Sequence, residues 1–131
     1  MGRLTIHDRT ASGHDVDSFT LDGLPDRITV RDLIRTRVRE EVARYNLKPT
    51  QHFGGLVSPT DAELTLNGSS RLKSPHRLDW EKQADVAEKA FLRNGFFLLV
   101  NGRQAIELDE EVELDAASDV AFVKLTPLRG G

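Results

Sequence analysis

One amphipathic helix, with strand-like segments before and after it, constrains the fold of this chain more than any other feature. Its apolar residues recur at the spacing of a single buried stripe, about 3.6 residues per turn: Val30, Leu33, Ile34, Val38, Val42 and Tyr45. Thr29 is suited to cap the N-terminus, with Asp32 three residues later, and Pro49 ends the helix at the latest. The pattern predicts one helix with its apolar stripe packed against the rest of the fold.

Two alternating segments before this helix predict a hairpin. The run 3-RLTIHD-8 places Leu4 and Ile6 on one face of a strand, and residues 9–15 are rich in turn formers. A second strand is expected in 16–24, and its apolar residues are Val16, Phe19, Leu21 and Leu24.

The middle of the chain predicts a second hairpin and a second helix. The asparagine–glycine pair at 67–68 lies between short alternating runs in 62–72, the strongest local signal for a hairpin turn. A helix is expected from Asp79 to Asn94, with Asp79 as its N-cap and Gly95 ending it in a left-handed turn. Its buried stripe comprises Trp80, Ala84, Ala87 and Phe91.

The last third of the chain is rich in strand signals. The apolar run 96-FFLLV-100 is expected to turn at Asn101-Gly102 into a strand around 103–108. A solvated acidic connector, 109–119, then leads to a final strand, 120–126. The predicted order is therefore strand, strand, helix, insertion, strand, strand and strand.

Composition excludes several classes of protein. The chain has 131 residues, one domain by length, with a net charge of −3, which argues against a nucleic-acid partner. It has no cysteine, which excludes disulfides, thiolate metal sites and cysteine nucleophiles. Its longest apolar run is too short to cross a bilayer, and no signal segment opens it, so a cytoplasmic monomer without a membrane partner is expected.

Other candidate sites favour ordinary structural roles. The four histidines, at 7, 14, 52 and 76, share no metal-ligand spacing, and the acidic connector lacks the ligand pattern of a calcium site. Gly54-Gly55 lacks the residues of a phosphate-binding loop and is expected to form a turn. We find no catalytic nucleophile–base arrangement and no cofactor motif. The arginines of 27–44 are expected on the solvated side of the first helix.

The end of the chain, 125-LTPLRGG-131, carries a resemblance to ubiquitin. Pro127 has no amide proton to continue a ladder, so residues 127–131 are expected to leave the sheet as a flexible tail. The stretch 98-LLVNGRQ-104 is similar to ubiquitin's third-strand turn, with Gly102 and Gln104 identical. The last four residues match ubiquitin's own: Leu128, Arg129, Gly130 and Gly131.

The resemblance identifies the chain as a member of the ubiquitin-like modifiers, of a prokaryotic kind. It implies an α+β, β-grasp fold, with a mixed sheet packed on a helix, in one domain over 1–126. Residues at about 49–94, the inserted hairpin and second helix, have no counterpart in ubiquitin.

The implied function is that of a substrate, not of an enzyme. An activating enzyme would use ATP to adenylate Gly131, with Gly130 beside it, and a thioester relay would transfer the chain to target proteins. Leu128 and Arg129 would be recognised by the activating enzyme. The implied partners include a conjugating enzyme and a deconjugating peptidase, in a bacterial system such as antiviral defence.

Ubiquitin's partners bind an apolar patch on the exposed face of its sheet, and its position falls here on Leu99, with Phe97 and Leu125 nearby. The insertion could equally cover these residues. In the final strand, strict alternation would bury Lys124, so we expect a one-residue shift that turns Ala121, Val123 and Leu125 toward the core.

Two other readings remain open for the same sequence. The chain could be a sulfur carrier that holds a thiocarboxylate at the same terminal glycine. It could also be a β-grasp binding module that is never conjugated. The mass of the protein from its native host distinguishes the sulfur carrier from the modifier, and a tail packed against the body would favour the binding module.

Overall fold

The structure, a computed structural model, describes residues 3–59, 62–64 and 70–125. It confirms the predicted α+β class: a mixed five-stranded sheet is combined with two helices and two smaller sheets. The helices are α1, Val30–Leu47, and α2, Trp80–Leu92. The strands are β1 Arg3–Thr10, β2 Asp15–Asp22, β3 Arg27–Thr29, β4 His52–Phe53, β5 Glu63–Leu64, β6 Ser70–Arg71, β7 Phe96–Val100, β8 Arg103–Gln104, β9 Glu111–Glu113 and β10 Val120–Lys124.

The five-stranded sheet has the order β2-β1-β10-β7-β8. The last strand, β10, lies at its centre, parallel to β1 and antiparallel to β7. The predicted N-terminal hairpin is confirmed as the antiparallel pair β1–β2, although Val16 is 61% exposed rather than buried. The predicted turn at Asn101-Gly102 is also confirmed, with φ of 52° and 80°, but the strand after it is only two residues long.

The first helix forms where its apolar stripe predicts it. The Thr29 side chain caps it by accepting a 3.1 Å hydrogen bond from the backbone N–H of Asp32. The stripe of Val30, Leu33, Ile34, Val38 and Val42 is buried, and Tyr45 is half-buried against the same core. The predicted exposure of the helix arginines is wrong for Arg37, whose residue is only 1% exposed.

The second helix starts at its predicted cap, since the Asp79 carboxylate accepts hydrogen bonds from the N–H groups of Glu81 and Lys82. Its end differs from the prediction. Asn94 adopts the left-handed conformation, with φ of 59°, and Gly95 donates its N–H to the Ala90 carbonyl at 2.7 Å. This is the bonding of a Schellman motif with Asn94 in the position that glycine usually holds.

Three short strands were not predicted from the sequence: β3, β4 and β9. β3 and β9 pair antiparallel, so the acidic connector forms part of a two-stranded sheet. Val112 and Leu114 within the connector are buried, and the prediction of a fully solvated connector is therefore wrong. Three residues of the β3–β9 pair are charged, so the two segments lack the apolar pattern by which strands are predicted. In the structure these charges pair, because Arg27 bonds to Glu113 at 2.6 Å and lies 3.6 Å from Glu111.

The region between α1 and β7 contains the predicted second hairpin and second helix. β5 and β6 pair antiparallel, and β4 adds a third strand on the other side of β6. The turn at 67–68 lies outside the described residues. Within the described residues, no helix has both the length and the apolar character needed to cross a membrane.

The expected register shift in the last strand is wrong. Val120 and Phe122, not Ala121, Val123 and Leu125, pack in the core that faces the helices, although Ala121 is itself fully buried. Strict alternation therefore places Lys124 on the helix side of the sheet. Its ammonium is accommodated because it donates to the backbone carbonyl of Gly55 at 3.0 Å, while the side chain is part-buried.

Candidate docking face

The three residues predicted to bind partners belong to one face of the five-stranded sheet. Side chains alternate between faces along a strand, and Phe96 and Leu98 point to the helices, so Phe97 and Leu99 point away from them. Leu99 lies opposite Ala121 and Phe97 lies opposite Val123 on β10. Leu125 follows the same strand and is 39% exposed. We call this side of the sheet, opposite the helices, the outer face.

The insertion does not bring its helix to the outer face. The Phe91 ring of α2 contacts the Phe96 ring at 6.0 Å between centroids, and Phe96 is on the helix side of the sheet. α1 lies on that side as well, because the guanidinium of Arg37 stacks on the Phe122 ring. Phe97 and Leu99 are half-buried.

Charged residues border the apolar strip of the outer face. Arg9 of β1 lies opposite Val123 and donates hydrogen bonds to Asp15 at 2.6 Å and to Asp119 at 3.1 Å. The hydrogen bond to Asp15 is the main reason why the pKa of Arg9 is raised. An apolar strip with a charged border held by hydrogen bonds is suited to binding a protein surface.

The tail residues predicted to carry conjugation lie outside the described residues. These are Gly130 and Gly131, with the predicted recognition residues Leu128 and Arg129. The described chain reaches Leu125, at the end of the central strand and on the edge of the apolar strip. The assignments of conjugation and recognition to the last four residues stay predictions.

A buried ionic cluster was missed by the sequence analysis. Both oxygens of the Asp8 carboxylate accept hydrogen bonds from the Arg37 guanidinium, from Nη1 and, at 2.7 Å, from Nη2. Nη2 also donates to Glu41 at 3.1 Å. The side chains of Arg37, Asp8 and Glu41 are only 1%, 7% and 10% exposed.

The surroundings of this cluster are mostly apolar. The Arg37 guanidinium lies between the rings of Phe19 and Phe122, at 5.1 and 4.6 Å from their centroids. Within the described part of the chain, its Nε has no hydrogen-bond partner. Glu41 also accepts the backbone N–H of Leu56 at 3.3 Å, and burial raises the pKa of its carboxyl group.

The sequence did contain a signal for this cluster. Asp8 continues the alternation of Leu4 and Ile6, and Arg37 falls in the same helical stripe as Leu33 and Ile34. When a charged residue occupies a buried position of a strand and an oppositely charged residue occupies a buried position of the next helix, the sequence predicts an ion pair between them. Because Arg37 is charged, it was assigned to the solvated side of the helix and not to the buried stripe.

Fold and surface together define an α+β domain whose central last strand ends beside a partly apolar outer face. No model of a protein family, no curated protein and no solved structure matches this chain. Among the described residues, no group of three or more histidine or acidic side chains could hold a metal ion.

Proposed function

We propose that this protein is a β-grasp modifier that is conjugated to target proteins through Gly131. The observation that carries the proposal is the strand order β2-β1-β10-β7-β8, with β1 parallel to β10 and a helix between the first hairpin and the later strands. This arrangement is compatible with a β-grasp fold. The sequence places the residues Leu128, Arg129, Gly130 and Gly131 shortly after its central strand.

The chemistry of the proposal requires only a terminal carboxylate with little bulk around it. The Gly131 carboxylate attacks ATP, releases pyrophosphate and becomes an acyl-adenylate. A thiolate of the activating enzyme then displaces AMP to form a thioester, and a target amine displaces the thiolate to form an amide. Glycine at 130 and 131 leaves the carbonyl open to each attack because neither residue has a side chain.

The outer face gives this function a docking surface. Leu125 is exposed where the described chain leaves β10, and Leu99 and Phe97 lie on the neighbouring strand. Residues 126–131 follow Leu125 directly in the sequence. In this proposal, the activating, conjugating and deconjugating enzymes bind the outer face, and Arg129 and Leu128 are read by the activating enzyme.

The test uses the chain ending at Gly131, with an N-terminal affinity tag, in extract of the organism that encodes it. Addition of ATP should produce covalent adducts on other proteins and a thioester that a thiol reagent removes. The matched control is the same chain without Gly130 and Gly131, which leaves the described domain unchanged. This control should form neither species.

Three results would overturn the modifier function. Adducts that persist without the two glycines would mean that another group is joined to the targets. A chain from the native host that carries sulfur in place of one terminal oxygen, without any protein adduct, would identify a sulfur carrier instead. Complete absence of both modifications would leave a binding module.

A further inference from the structure

A groove on the helix side of the molecule is separate from the outer face. It lies between the start of β3 and the two helices and has a volume of about 320 Å³. Its walls come from α1, the entry to β3 and the first residue of α2: Pro25, Ile28, Asp32, Arg35, Thr36, Arg39 and Trp80. We call it the Trp80 groove.

Two arginines stack on the tryptophan in this groove, and they differ in their other partners. Arg35 lies 5.7 Å from the ring centroid and is held by Asp85 at 2.9 Å and Glu88 at 2.5 Å. Arg39 lies 5.5 Å from the ring and is exposed. Within the described ranges it has no carboxylate partner, so all five of its N–H donors are free for a ligand.

The charge of the groove changes along α1, from an acidic end at Asp32 to a basic end at Arg39. Asp32 and Arg39 are seven residues apart, which separates them by about 10 Å along the helix axis. An acidic group would be attracted to the Arg39 end and repelled from the Asp32 end. Pro25, Ile28 and the indole of Trp80 supply apolar surface in the same groove.

We infer that the Trp80 groove binds a peptide segment of a partner protein that carries one carboxylate, with this carboxylate on Arg39 and a neighbouring apolar side chain against Trp80 and Pro25. Arg–carboxylate pairing and aromatic contact are frequent features of protein interfaces. Trp80 comes from the insertion at 49–94, so this surface is additional to the outer face. The inference does not depend on conjugation through Gly131.

The charges around the groove favour a peptide over a nucleic acid. Asp32 lines the groove itself, and Asp85 and Glu88 lie beside Arg35. A chain of phosphates would meet these carboxylates at every step along the groove, and the protein as a whole has a net charge of −3. A single carboxylate between apolar side chains avoids this repulsion.

The chain has one tryptophan, so its fluorescence reports on this groove alone. The probe is a capped Leu-Glu-Leu-Leu peptide, which has a single carboxylate between apolar side chains, and its Leu-Gln-Leu-Leu counterpart has the same shape without charge. The acidic peptide should change the Trp80 fluorescence saturably, and the neutral one should bind about tenfold more weakly, the effect of one charge-assisted hydrogen-bonded pair.

Two variants of equal net charge make the test specific to the groove. Arg39→Gln should weaken binding of the acidic peptide about tenfold. Arg93→Gln, at the exposed end of α2, should leave binding unchanged. Equal losses in both variants, or no saturable change with the wild-type protein, would overturn the inference. So would a single-stranded oligonucleotide that binds in place of the peptide.

Discussion

Replacing the buried Arg37 by methionine should destabilise this protein more than the same substitution at any other arginine of α1. Methionine fills much of the space of the Arg37 side chain but leaves Asp8 and Glu41 as two buried carboxylates without a counter-charge. Breaking a buried ion pair in this way costs about 3–5 kcal/mol. Since domains of this size unfold with about 5–15 kcal/mol, Arg37→Met should lose a large part of the total stability.

The matched control is Arg44→Met on the same helix. Arg44 pairs with Glu40 at 3.0 Å, with side chains 50% and 42% exposed. Such a pair contributes about 0.3–0.5 kcal/mol. Arg44 also donates to the Thr20 carbonyl at 3.1 Å and lies 5.0 Å from the Phe19 ring centroid, so this variant should lose about 1–2 kcal/mol, less than Arg37→Met. Urea denaturation of both variants, followed by Trp80 fluorescence, gives the two free energies of unfolding.

The pH dependence separates orphaned charge from lost packing. In Arg37→Met, Glu41 loses the guanidinium that lowers its pKa, so burial raises the pKa of its carboxyl group further above the unfolded value. The native state then binds more protons than the unfolded state, so stability falls as the pH rises from the unfolded pKa toward the raised folded pKa. The deficit of Arg37→Met should be largest near neutral pH and smaller in acid. A deficit no larger than that of Arg44→Met, or one that is independent of pH, would refute this reasoning.

Three further predictions follow from single contacts. Leu99→Asp should leave the protein folded by circular dichroism, whereas Leu98→Asp, on the fully buried neighbour, should unfold it. Asn94→Ala should lose about 1 kcal/mol in urea denaturation, because alanine resists φ of 59°, while Asn94→Gly should not. The backbone N–H groups of Glu107 and Ile106 lower the pKa of Glu110. The Glu110 carboxylate therefore stabilises the fold fully at a pH above its ordinary pKa of 4.5, and this stabilisation is lost as the pH falls through the lower pKa of the folded state. Glu110→Gln should therefore flatten this acid-side loss in a pH series of urea denaturations; an unchanged slope would contradict it.

The strongly periodic elements were predictable from the sequence. The apolar stripe from Val30 to Val42 predicted the position of α1, and the apolar run at 96–100 predicted β7. In both, the apolar spacing and the local capping or turn residues agree on one structure. Where these signals agree, the local sequence is sufficient to predict the element.

The misses have physical reasons of their own. β3 and β9 have three residues each, half of these six residues are charged, and only their pairing across the chain makes them strands. Lys124 can occupy the helix side of β10 because the distant Gly55 offers it a carbonyl. Arg37 can be buried because Asp8 and Glu41 neutralise it. Each case depends on at least one partner distant in sequence, and the local pattern around a residue does not show which distant residue will meet it.

The central claim, conjugation through Gly131, is tested most directly by mass spectrometry of proteins that copurify covalently with the tagged chain from its native host. Trypsin cleaves after Arg129, so a conjugated target lysine should retain the Gly130-Gly131 dipeptide on its amine. We expect such remnants in the wild-type sample and none with the chain that lacks both glycines. A wild-type sample that contains only the unmodified chain, with no remnant on any target, would contradict the account.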